Sequence, residues 1–209
     1  VAAASLKKNT ALWAGGAAVH EVVLWWLGFL VLTIAGERLE LSRFMPPSSA
    51  ALRWFASITL LLLLSLAGSL LARWQGAPDA IWPVRGFGVG LLVLALWLAR
   101  YDIARRTVRQ SGLTRYIALC LLSGYGWLAL GGVVMAVAGL QPGHKSYDAA
   151  LHALLLGFVF SMVFGHAPIV FPAVLRVALP YHPVFYAPLL LLHGSLALRL
   201  LGDASGSFA

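Results

Sequence analysis

Charge is scarce in this sequence. Only 11% of its 209 residues are Asp, Glu, Lys or Arg, where a soluble domain carries about 25%. Acidic residues are the scarcer kind, seven against fifteen basic ones. Cysteine occurs once, as Cys120 inside an apolar run. That excludes an intrachain disulfide and a Cys-rich metal site. There is no phosphate-binding loop, no carboxylate pair and no nucleophile–base constellation, so hydrolase and transferase chemistry find no footing and no catalytic residue is assigned. The net charge of +8 is not a nucleic-acid signal. The basic residues flank apolar runs, where they orient a membrane protein and meet lipid headgroups.

What the sequence has in abundance is apolar length. Hydrophobic residues make up 61% of the chain, and the mean hydropathy is +0.87. Six runs stand out, at about residues 11–35, 50–72, 81–99, 116–140, 147–176 and 184–201. Each is long enough to cross the hydrocarbon core as a helix. Backbone groups in lipid must be satisfied within their own segment. An all-α polytopic membrane protein with six transmembrane helices in one domain over 1–209 follows. A barrel would show short alternating strands instead. Lys7 and Lys8 ahead of the first run imitate a signal peptide, but that run is long enough to span and no convincing cleavage site follows it. The tail from Gly202 is short and polar, and disorder is expected there.

Ionisable groups within such runs are expensive and usually functional, so the histidines are the first candidates. The fifth run holds no charge between His152 and His166, and only Ser161 interrupts it with a hydroxyl. The two histidines are fourteen residues apart, which on an α-helix brings them to nearly one face, about 21 Å apart along the axis. Neutral imidazole is a common ligand for metals and haem. Spans five and six form an antiparallel hairpin, so His166 and His193 lie at similar depth from one surface. His152 and His20 lie toward the other. Two ligand levels follow, His20/His152 and His166/His193, with His152 and His20 as the metal-ligand candidates. The alternative is structural: a membrane histidine also serves to hydrogen-bond a neighbouring helix. Glu21, next to His20, fits a proton relay or an acceptor behind a ligand, or both residues sit among the headgroups. His144 and His182 belong to loops. Pro168 and Pro172 are expected to bend the second half of span five, since each removes a backbone donor. The 36–43 stretch after span one, with Glu40 and Arg43 spaced to pair, reads as a solvated helix extension. The glycines of span four suit close packing against a neighbour or a flat ligand.

Orientation follows from the arginines. Nine Lys/Arg belong to the connections one–two, three–four and five–six, against six elsewhere. The cluster Arg100, Arg105, Arg106, Arg109 and Arg115 decides the balance. The positive-inside rule then places both termini outside the cytoplasm.

Three stretches together resemble a known family. Gly124-Tyr125-Gly126-Trp127-Leu128-Ala129-Leu130-Gly131 is similar to the G-Y-A-W-L-x-L-G span of the NnrS family. Ala150-Leu151-His152-Ala153-Leu154-Leu155-Leu156-Gly157 is similar to its L-H-A-L-x-x-G segment, and Gly36-Glu37-Arg38 falls where the family has a G-x-R stretch. Order and spacing agree, so the resemblance covers most of this chain as the C-terminal half of a longer protein. It implies a polytopic protein of the bacterial inner membrane that carries haem and copper and is linked to nitric oxide or respiratory redox metabolism; with the orientation read from the arginines, both termini are then periplasmic. Of the histidines only His152 lies in a matched motif. Leu122 stands where the family often has histidine, and Glu40-Leu41-Ser42 replaces a proline-containing continuation. The His152–His166 spacing alone is also similar to that of cytochrome b helices, which use paired histidines for two haems. Two other readings stay open: a non-catalytic subunit of a larger membrane redox complex, and a proton-coupled transporter using His20 and Glu21. In every case the lipid bilayer is a partner, and other membrane subunits are candidates.

Overall fold

Every apolar run is helical over its described residues in the computed structural model, which describes residues 19–41, 47–77, 80–177 and 180–205, with the side chains of residues 20, 21 and 204 outside that description; residues 11–18 of the first run lie outside it. The spans are α1 (Val19–Leu41), α2 (Ser49–Trp74), α3 (Ile81–Tyr101), α5 (Gly112–Ala138), α6 (Lys145–Leu175) and α7 (Tyr186–Ser205). A short α4 (Ala104–Thr107) lies between α3 and α5. Among the described residues there is no strand. Six helices are long and apolar enough to cross a membrane, and an all-α polytopic membrane protein is the architecture.

Lipid is as apolar as leucine, so burial of apolar side chains does not by itself draw these helices together; close approach and interhelical hydrogen bonds do. The central pair is α3 with α5. A Cβ on Gly88 would lie 2.5 Å from the backbone nitrogen of Ala136 and 2.7 Å from the carbonyl oxygen of Gly132. A Cβ on Gly132 would lie 2.7 Å from the Leu92 nitrogen. Two backbones therefore touch where only glycine leaves room. On one side α2 packs on α3, held also by the Trp97 indole N–H, which donates to the Ala51 carbonyl at 3.0 Å. On the other side α6 packs on α5. The last helix, α7, touches mainly the first half of α6 and leaves Leu190, Leu191, Leu198 and Leu201 exposed.

Three details depart from the sequence reading. First, α1 continues to Leu41, and Arg38 is 6% exposed. The 36–41 stretch is a helical extension with Gly36, Glu37, Glu40 and Leu41 exposed, as expected, but Arg38 departs from that reading: it is buried against the Asp102 carboxylate at the end of α3. Arg43 falls in 42–46, outside the described residues. Second, residues His152–Val159 of α6 form a π-helix, in which the N–H of Phe160 bonds the Leu155 carbonyl five residues back. The 100° step that puts His152 and His166 on one face does not hold through that wider turn. The helix regains α geometry at Phe160 and runs to Leu175 with Pro168 and Pro172 inside it. Third, α7 includes Gly202–Ser205, expected as disordered tail; 206–209 lie outside the described residues.

Candidate functional site

Among the described residues, polar side chains of different helices meet at three places that bear on a site. At the end shared by the α1 C-terminus, the α3 C-terminus and the α5 N-terminal half, Arg38 grips Asp102 with two bonds: Nε to Oδ2 at 2.8 Å and Nη2 to Oδ1 at 3.0 Å. The Tyr125 hydroxyl donates to Oδ2 at 2.8 Å, and the Ala104 N–H donates to Oδ1 at 2.7 Å. Asp102 caps α3 in an extended conformation, which turns its carboxylate back into the bundle. Arg38 and Asp102 are both nearly inaccessible. This bidentate fork is the geometry for which arginine, not lysine, is suited. It joins three helices through one carboxylate.

Within the α5–α6–α7 cluster, the Trp127 indole N–H donates to His193 Nδ1 at 2.8 Å, and His193 Nε2 lies 3.0 Å from Ser123 Oγ. Indole nitrogen can only donate. Nδ1 is therefore the acceptor, and Nε2 carries the proton and donates to Ser123. The Ser123 hydroxyl in turn donates to the Cys120 carbonyl at 3.0 Å. The Trp127 and His193 rings also stack, 6.1 Å between centroids at 22°. Both ring nitrogens of His193 are thus engaged by α5. A Cβ on Gly157 would collide with Trp127, so the space at Gly157 is filled by that side chain.

Toward the N-terminus of α6 stands His152, the first residue of the π-helical stretch. Its Nδ1 lies 2.9 Å from the Asp148 carbonyl and 3.3 Å from Asp148 Oδ1. Arg199 of α7 donates to Asp148 Oδ2 from Nη2 at 2.7 Å and from Nε at 3.1 Å. His166 repeats the pattern, with Nδ1 2.6 Å from the Met162 carbonyl. A carbonyl only accepts, so in both neutral histidines Nδ1 carries the proton and Nε2 keeps its lone pair.

Of the expected ligand levels, His166 and His193 are not joined to each other, because His193 is turned onto α5. The side chains of His20 and Glu21, and with them the His20/His152 level and the proton relay, lie outside the described residues. Among the described residues no three His, Cys, Asp or Glu side chains gather as a metal site. His144 and His182 are exposed; the latter accepts from the Val184 N–H at 3.1 Å. The sequence reading missed Asp102, Ser123, Asp148 and Arg199. One signal was available for Asp102: it is the single acidic residue in an arginine-rich connection, immediately after a span.

Fold and polar clusters together define a polytopic all-α membrane protein braced by interhelical polar bonds. Its full length, residues 1–209, matches the family model described as a domain of unknown function, DUF8744. The chain belongs to that family. No curated protein and no solved structure matches it.

Proposed function

We propose that this is an NnrS-like protein of the bacterial cytoplasmic membrane, with periplasmic termini, that binds haem or a metal through membrane-embedded histidines and serves nitric-oxide or respiratory redox metabolism. One observation carries the reading: His152 and His166 each give their Nδ1 proton to a main-chain carbonyl four residues back, which leaves Nε2 as a lone-pair donor. Such outer bonds fix the tautomer and orientation of ligating histidines in general. The donor set therefore fits an imidazole-ligated group, with His152 first, His166 second, and His20 the candidate partner of His152. A haem iron held there would supply electron-transfer or gas-ligand chemistry, and imidazole also suits copper. The protein's own part is to orient each imidazole, and at His152 the Asp148 carboxylate, anchored by Arg199, stands behind the ring. The resemblance of 150–157 to the NnrS segment supports the choice of His152.

The test is an absorption spectrum and metal analysis of the purified protein, oxidised and reduced, beside His152→Gln. A folded His152→Gln protein with reduced haem or metal content is expected. Equal content in both, or no cofactor in the unmodified protein under full supply, refutes the reading. A second reading, a non-catalytic subunit of a larger membrane complex, is favoured by His193, whose ring is wholly committed to packing, and by the exposed leucines of α7. Co-purification of a colourless protein with other membrane subunits would support it.

A further inference from the structure

His152 and His166 make the same main-chain bond, yet their surroundings differ by one charge. Each Nδ1 gives its proton to the carbonyl four residues back. Beside His152 the Asp148 carboxylate also stands, with Oδ1 3.3 Å from Nδ1. The four-residue spacing puts the two side chains on one helix face. Asp148 is the one acid on α6, so His166 has no counterpart on its helix. The Nδ1 proton of His152 is already committed to the carbonyl at 2.9 Å. The carboxylate therefore acts on the ring by its charge and not through a second full bond. A negative charge behind an imidazole raises the electron density that Nε2 can offer. It also favours whichever state of a bound group carries more positive charge.

Arg199 enters from α7, fifty-one residues on. It holds the other oxygen, Oδ2, with Nη2 at 2.7 Å and Nε at 3.1 Å. Two nitrogens of one guanidinium on one oxygen leave Oδ1 to the ring. Both side chains are substantially exposed, and an exposed pair contributes little to holding helices together. Its consequence falls on the imidazole, because the guanidinium offsets part of the charge that the carboxylate presents to it. We propose that Asp148 and Arg199 are positioning residues for His152 that set its donor strength in opposite senses, Asp148 raising it and Arg199 moderating it. The inference rests on the reading of His152 and His166 as ligands, and it makes those two imidazoles unequal donors.

The test has two readouts on the full chain in detergent. One is the reduction potential after loading with haem, or with copper if haem is refused. The other is the nitrogen NMR resonances of the histidines in the cofactor-free chain. Asp148→Asn should weaken binding of the oxidised group about tenfold. That raises the potential, by about 59 mV if the reduced state is untouched. Arg199→Gln should shift it the other way, downward. A pair that only braced two helices would move both variants in one direction. Asp148→Glu keeps the charge and should recover part of the loss. Glu37→Gln removes an exposed acid near the end of α1 and should leave the potential unchanged. In the cofactor-free chain, Asp148→Asn should move the His152 Nδ1 resonance and leave that of His166 in place. Shifts of the same sign in Asp148→Asn and Arg199→Gln, an unmoved potential, or an unmoved His152 resonance overturns the proposal and leaves the cofactor reading standing. A chain that takes up neither haem nor copper ends both.

Discussion

Replacing Arg38 by glutamine should be among the most damaging single changes in the chain. The substitution removes two charge-assisted bonds to Asp102 and leaves that carboxylate buried, with only the Tyr125 hydroxyl and the Ala104 N–H as partners. Removing one member of a buried ion pair costs about 3–5 kcal/mol, because the remaining charge has no compensation. For a chain of this size each kcal/mol moves Tm by about 2–4 °C, so a fall of about 6–20 °C is expected. The assay is thermal unfolding in detergent, followed by tryptophan fluorescence. Asp102→Asn should cost a similar amount, since it strands Arg38. The double variant should cost clearly less than the sum, because it strands no charge. Tyr125→Phe removes one hydrogen bond to a charged group and should cost about 1.5–3 kcal/mol. Arg199 and Asp148 make a shorter contact, 2.7 Å, yet both are substantially exposed, and Arg199→Gln should shift Tm far less. An Arg38→Gln protein melting within about 2 °C of wild type, or additive losses in the double variant, would refute the view that the pair is buried and coupled.

Gly88→Ala forces a methyl group onto the Ala136 and Gly132 backbone and should lower stability by about 1–3 kcal/mol, whereas Gly126→Ala, with no atom within 4 Å of its added Cβ, should be silent in the same melting assay. His193→Phe leaves the Trp127 indole N–H without its acceptor and should cost about 1–3 kcal/mol, while cofactor content stays at the wild-type level if His152 and His166 are the ligands. A cytoplasm-only reporter should be inactive when fused after Ala209 and active when inserted at Arg106; the reverse pattern would invert the orientation.

Long uninterrupted apolar runs made the number and type of the helices readable, because length against bilayer thickness is a one-dimensional property. Arg38 shows where that reading ends. Its partner lies 64 residues away, and no local pattern distinguishes an arginine at a water boundary from one folded back onto a carboxylate. Within the single span α6, periodicity assumed the α repeat and so misjudged the relation of His152 to His166 across a π-helical stretch. His193 was recognised as unusual from its depth, but its engagement depends on Trp127 and Ser123, one helical turn apart on another span. Tyr125 and Trp127 stood inside the Gly124–Gly131 motif from the start; their side-chain roles, to Asp102 and to His193, required the packing of three more helices.

The long reach of the Arg38–Asp102 contact bears on how the protein is made. At a synthesis rate of about 5–20 residues per second, the 64 intervening residues take about 3–13 s to appear. Throughout that interval the first span is ready to enter the bilayer while its arginine has no counter-ion. Arg38 lies in the last turn of α1, and an unpaired charge taken out of water is costly, so Arg38 should stay at the aqueous boundary until α3 delivers its carboxylate. Burial of Arg38 is then a late step that waits on Asp102, and an arrest of translation shortly before Asp102 should catch the Arg38 end of α1 still reachable by a water-soluble reagent.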